Sequence, residues 1–250
     1  MLLPFAIDFI QLYKTNKVLL NEIHFFYFFI FAPLSALEIN TEEDIKKFIL
    51  ENPEVIIQSL QNYEKKKEEE NLKSRYNFIN DNLSIIQKTD GFSFEGSENS
   101  KMIIVEFFDY NCGYCKKAHN EIKKLLDRNS NIKVVYKNLP ILSEKSAFLA
   151  KLSLAVGLES QNDFSKFHDF IYNSSKKINT EKINDYLESI GLDSKKIIKI
   201  SESDEINSMI QNNVYLAEKI GITGTPAFLI GKELISGFVS SKIIESLILN

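Results

Sequence analysis

The chain has 250 residues, enough for one large domain or two small ones. Apolar residues make up 44% and charged residues 26%, which excludes a disordered chain, a collagen-like repeat and a multi-span membrane protein. The net charge of −4, from 30 basic and 34 acidic residues, gives no basis for nucleic-acid binding, and the only two cysteines, Cys112 and Cys115, exclude a disulfide-stapled scaffold and a zinc site built from three or four cysteines.

Residues 25–34 read FFYFFIFAPL. This run is too short to span a bilayer, which needs about 20 apolar residues, but it has the length of a signal-peptide core. Lys14 and Lys17 lie upstream as a positive segment, and Ser35-Ala36 offers small residues at a cleavage point after Ala36. Leu34 is a poor fit at the −3 position, and the leading segment is long and carries Asp8 and Glu22. Residues 1–36 are expected to be a cleaved signal peptide, with a buried helix or an uncleaved membrane anchor as the alternatives. In an oxidising compartment a cysteine pair is free to cycle or to stay bridged.

A helical stretch follows. Thr41 with Asp44 fits a capping box, and Ile45, Phe48 and Ile49 form an apolar stripe. Asn52-Pro53-Glu54 starts a second helix, with proline in its first position and an acid in its first turn. Its pattern continues to about Gln87 through EKKKEEE at 64–70, a block with no apolar face. Beyond that block, Leu72, Tyr76, Ile79, Leu83 and Ile86 repeat at heptad spacing. Such a seam serves either to pack the helix on its own domain or to hold copies of the chain together.

Near Asp90-Gly91 the pattern changes. Residues 92–95 make a weak short strand, and residues 102–108, MIIVEFF, a strong one of the kind buried in a sheet centre. Cys112-Gly113-Tyr114-Cys115 follows directly, then an amphipathic helix to about Leu126 and a strand over 132–136. This is a strand–helix–strand unit with the cysteines at the strand-to-helix turn. Residues 143–220 read as about four helices punctuated by Gly157, Asn173-Ser174-Ser175 and Gly191-Leu192-Asp193. Gly224-Thr225-Pro226 then leads into a strand at 227–230, a tight turn at Gly231-Lys232, a returning strand at 233–236 and a closing helix over 240–249.

The chemistry rests on the cysteine pair. A helix start places Cys112 at the positive end of the dipole, where free backbone N–H groups stabilise its thiolate. Cys115 lies one turn further in, close enough to bridge and more deeply placed. That asymmetry makes Cys112 the attacking or attacked sulfur and Cys115 the resolving one. Two other uses of the pair are half of a metal site, with His119 as a third ligand, and a permanently closed bridge. Covalent haem attachment is excluded, because Lys116 rather than His follows Cys115.

These residues resemble the thioredoxin-fold disulfide oxidoreductases, specifically the exported DsbA-like family. The resemblance covers about residues 91–250: the strand VEFFDY, the segment NCGYCK, and the distant Gly224-Thr225-Pro226. It implies an α/β thioredoxin fold with a helical insertion at 143–220, preceded by a helical N-terminal arm at 37–90. It also implies that Glu106 is the buried acid that takes and returns the proton of Cys115. Pro226 is then a cis-proline beside the cysteines, and Thr225 offers its backbone to an extended substrate segment. Without the resemblance, Glu106 is equally an ordinary buried carboxylate and Pro226 a trans-proline at a strand start. The dipeptide Gly113-Tyr114 is that of the dimeric disulfide isomerases. The segment IKKFILENPEVI at 45–56 resembles the leader of DsbA-like proteins related to ScsC, in which it mediates oligomerisation.

The expected function is formation of disulfides in other exported, cysteine-containing proteins in the periplasm, with a membrane redox partner recycling the pair and no metal or organic cofactor. Two alternatives stand beside it: an isomerase or reductase kept reduced by a membrane partner, and a metal-binding or surface module whose cysteines are not catalytic. Residues 41–87 are a candidate homo-oligomer contact. His168, within FSKFHDF, is expected to pack rather than act, and Tyr110 either borders the site or packs.

Overall fold

The computed structural model describes residues 41–174 and 178–249. The expected signal peptide at 1–36 lies outside the described residues. The described chain falls into two compact units that part between Lys65 and Lys66.

The first unit is helical. Helix α1 (Glu42–Glu51) begins where Thr41 Oγ1 accepts the Asp44 amide at 3.2 Å, the cap expected from the sequence. Three acids in its first turn face the positive end of the helix dipole. Asn52 ends it by donating its side-chain amide to the Phe48 carbonyl at 2.8 Å, and Pro53 opens α2 (Pro53–Ile86). Ile45, Leu50, Ile57 and Leu60 are all exposed, and α1 has no buried residue.

The second unit is built on five strands: β1 (Phe94–Gly96), β2 (Ile103–Phe108), β3 (Lys133–Asn138), β4 (Ala227–Ile230) and β5 (Glu233–Ser236). Their spatial order is β1-β3-β2-β4-β5. Strands β2 and β3 are parallel, and the other pairs are antiparallel. Helix α3 (Gly113–Arg128) crosses from β2 to β3. Between β3 and β4 come α4 (Glu144–Glu159), α5 (Phe164–Asn173), α6 (Thr180–Ser189), α7 (Ser194–Ser201) and α8 (Asp204–Lys219), and α9 (Ser241–Leu249) closes the chain. Ser143, Asn179, Asp193 and Ser203 cap α4, α6, α7 and α8 with side-chain oxygens.

Period-two alternation divides the sheet into two faces. On one, Val105, Phe107, Val135, Ala227 and Leu229 pack with Ile79 and Ile86 of α2, Leu216 of α8 and Ile220, which caps the C-terminus of α8. On the other, Ile104, Phe108, Val134, Tyr136 and Phe228 pack with α3, α4 and α5. The heptad seam of α2 is therefore divided. Ile79 and Ile86 are spent on the sheet, while Leu72 and Tyr76 stay exposed.

Among the described residues, the helical segment holds five α-helices and a 3-10 turn at Gln161–Asp163 rather than about four helices. Gly157 does not break a helix: it lies inside α4, where a Cβ would collide with the Phe92 ring. The glycine answers a packing need, not a turn.

Candidate active site

Helix α3 starts at the cysteine pair. Cys112 is its N-cap, with extended backbone, and its Sγ accepts the Cys115 amide at 3.4 Å. The turn that delivers it is fixed by Asp109, a buried carboxylate. Asp109 Oδ1 accepts the Asn111 amide at 2.8 Å, and Oδ2 accepts the Ile141 and Leu142 amides at 3.0 Å each. The Asp109 carbonyl in turn accepts the Cys112 amide at 3.0 Å. Asn111 reaches across to Ser143 and Ser146 at the start of α4. One acid thus ties the strand–helix turn to the segment after β3. Sequence reasoning missed Asp109, and the only signal was an acid immediately after a buried strand.

Both cysteines are free thiols. Cys112 keeps 9% of its surface exposed and Cys115 none. Across from them the Thr225–Pro226 peptide bond is cis, and the Cys112 thiol donates to the Thr225 carbonyl at 3.2 Å. Two residues far apart in sequence therefore meet at one sulfur. Burial pushes the Cys115 thiol up and Glu106 adds to the rise, while the Asp109 backbone and the Thr225 side chain pull it back only in part. Gly113 and Tyr114 sit outside this contact: a Cβ at Gly113 would meet nothing within 4 Å, and Tyr114 is exposed under the Lys117 ammonium.

Glu106 lies on β2, paired with Tyr136 of β3 and Phe228 of β4. It is buried, and its Oε1 has no hydrogen-bond partner in the protein. Burial first, then Glu95 and the Cys112 sulfur, hold its carboxyl well above the ordinary carboxylate range. Its carboxyl thus holds a proton more tightly than an ordinary glutamate, set in the apolar interior behind the cysteines.

Tyr110 borders the site and is buried. Its hydroxyl lies 2.9 Å from His168 Nδ1, and its ring packs edge-on against Phe108. His119, one turn beyond Cys115 on α3, is buried with its ring against Tyr172 and its Nε2 3.2 Å from Asp169 Oδ1. The two histidines that sequence left apart are neighbours, with ring centroids 5.1 Å apart. Among the described residues no cluster of three or more His, Cys, Asp or Glu side chains has metal-holding geometry.

A family model described as a DSBA-like thioredoxin domain matches residues 103–248, more than half of the chain. The chain belongs to the DSBA-like thioredoxin domain family. Among solved structures, the thiol-disulfide exchange protein alpha-DsbA2 of Wolbachia pipientis is 30% identical, with a TM-score of 0.64 over 70% of this chain and 94% of that one. The catalytic domain of Proteus mirabilis ScsC is 26% identical, with a TM-score of 0.62 over 70% of this chain and 96% of that one. A candidate protein-disulfide oxidoreductase of Rickettsia bellii is 27% identical over 146 residues, 54% of this chain. The chain spans 55% of that protein's length and 60% of a curated Haemophilus influenzae relative. The matched residues take in β2 to β5, the cysteine helix and the intervening helices, and the fold is the thioredoxin fold with helical insertion that the sequence predicts.

Proposed function

We propose that the chain is an exported protein thiol–disulfide oxidoreductase acting on cysteine-containing proteins of the periplasm. The observation that carries this reading is the contact of the Cys112 thiol with the Thr225 carbonyl, with Cys115 wholly buried behind it. Only one sulfur is presented to a partner, and it is presented beside a backbone carbonyl able to hold an extended segment.

In the oxidising direction the enzyme starts with a Cys112–Cys115 disulfide. A substrate thiolate attacks Cys112 Sγ, forming a mixed disulfide and releasing Cys115 as a thiolate. Cys115 takes a proton from Glu106. A second substrate thiolate then attacks the substrate sulfur of the mixed disulfide. The substrate leaves oxidised by two electrons, and Cys112 leaves as a thiolate stabilised at the N-terminus of α3. Thr225 and Pro226 hold the substrate backbone during both attacks, and Gly113 and Tyr114 set the local environment of the sulfurs. A membrane redox partner restores the disulfide. The cysteine pair carries the electrons, so this scheme uses no cofactor.

The reverse direction, isomerase or reductase, has its own supporting observation. Ile45, Leu50, Ile57 and Leu60 leave the first unit with exposed apolar side chains, suited to contact between copies within residues 41–87. The domain scheme is then a signal peptide at 1–36, an oligomerisation arm at 37–90 and a redox domain at 91–250. Cys112→Ser is expected to abolish insulin reduction and disulfide formation, and Cys115→Ser to accumulate covalent substrate complexes. Full activity of Cys112→Ser overturns the enzyme reading. A monomer whose pair is oxidised in the cell favours the oxidase, and an oligomer with a reduced pair favours the isomerase.

A further inference from the structure

Every half-cycle of the exchange moves one proton to or from Cys115, whose side chain has no exposed surface. Glu106 is the immediate neighbour for that proton, but it is itself buried and must exchange with bulk water. The interior behind it holds an unusual set of polar groups. Tyr136 is the β3 partner of Glu106, and its hydroxyl has no hydrogen-bond partner in the protein. The His168 ring lies over Tyr136, with centroids 4.4 Å apart, and its Nε2 is also unpartnered. His119 stands next to His168, its Nδ1 unpartnered and its Nε2 on Asp169. Asp169 is one-third exposed and also pairs with Lys123 at 2.8 Å. Buried polar atoms normally find partners; unpartnered ones occur elsewhere in the protein too, but four of them, on Glu106, Tyr136, His168 and His119, lie on neighbouring side chains.

Resting on the reading above, the geometry points to a proton line from Glu106 through Tyr136, His168 and His119 to the surface at Asp169. Its members are groups that accept on one side while donating on the other. A tyrosine hydroxyl does so through its single oxygen, and a neutral imidazole does so by exchanging tautomers between its two nitrogens. The groups facing His168 are Tyr110 from the turn before α3, Tyr136 from β3, His119 and Lys123 from α3, and Tyr172 and Asp169 from its own helix. Burial, then His119, keeps His168 well below the usual histidine range, and burial keeps the Tyr136 hydroxyl well above the tyrosine range. Both stay neutral, as a line that passes protons without storing charge requires. In resolution, Cys115–SH gives its proton along the line, its sulfur attacks Cys112 Sγ, and the leaving thiolate departs with the electron pair of the broken S–S bond.

The reduced full-length protein with 5,5′-dithiobis(2-nitrobenzoate) separates the steps. The first equivalent of thionitrobenzoate reports attack by Cys112, and the second reports proton loss and attack by Cys115. In Tyr136→Phe, His168→Phe and His119→Phe the second phase is expected to slow about tenfold or more with the first unchanged. Added imidazole should partly restore the rate in His119→Phe. A second phase unchanged in folded Tyr136→Phe and in His119→Phe overturns the line and leaves the mouth at Cys112 as the route. Slowing of both phases in parallel in these variants also overturns it, because a structural disturbance does not select one sulfur. Absence of the second phase in the unmodified protein is a different failure, that of Cys115 as the resolving thiol.

Discussion

The two faces of the central sheet are made by the same three inner strands and differ by one residue of register. Val105, Phe107, Val135 and Leu229 give one face an aliphatic and aromatic interior closed by α2 and α8. One residue along, Glu106 and Tyr136 give the other face a carboxyl and a phenol, and α3 and α5 add His119 and His168. The first face is apolar packing apart from Lys137, which is in register with Phe107, buried, and satisfied by donating to the Lys88 carbonyl at 2.7 Å. The second face accepts unpartnered polar groups that cost stability, and it is the face against which the cysteine helix lies. Stability and chemistry are thus separated across the thickness of one sheet, and substitutions on the two sides should fail in different ways.

The largest effect is expected on the packing face. Phe107→Ala should lose about 3–5 kcal/mol in urea unfolding, while the protein that remains folded keeps its thiol reactivity. Lost reactivity at full folding would break the separation. Next is Gly157→Ala in α4. The helix-propensity gain of about 1 kcal/mol is outweighed by collision with Phe92, for a net loss of about 1–3 kcal/mol by thermal unfolding.

Glu106→Gln should act with the opposite sign. Above the ordinary glutamate value of 4.5, the unfolded chain releases this proton while the folded protein holds it, so the native state loses stability as pH rises toward the raised native value. Glutamine removes that loss. Its melting temperature should match the parent at pH 4 and exceed it at pH 8, by roughly 2–4 °C for each kcal/mol recovered. The same variant should slow the Cys115 step. A variant less stable than the parent at pH 8 would show that Glu106 is held ionised. The smallest effect belongs to Tyr114→Ala, which should change stability by under about 0.5 kcal/mol while moving the reduction potential of the pair.

Much of this was legible in the sequence because it is local. The Thr41 cap, the proline at the start of α2, the cysteine pair between a buried strand and a helix, and the strand after Thr225-Pro226 are each signalled within a few residues. What stayed hidden is tertiary. His119 and His168 belong to separate helices, and nothing near either residue announces the other. Gly157 read as a break because the ring that requires it comes from Phe92, in a different part of the chain. The seam of α2 read as one surface, yet packing on the sheet takes Ile79 and Ile86 and leaves Leu72 and Tyr76 outside. Period and spacing show that a face is apolar, but not which neighbour covers it.

The open space around Gly113 and the exposure of Tyr114 have a consequence for how such proteins diversify. Neither residue is held by the core, so both are free to drift or be selected without risking the fold. The surroundings of the cysteine pair are thereby open to change at two positions that packing does not constrain. A lineage, or a protein engineer, can change these two letters beside the cysteines and leave the rest of the text alone.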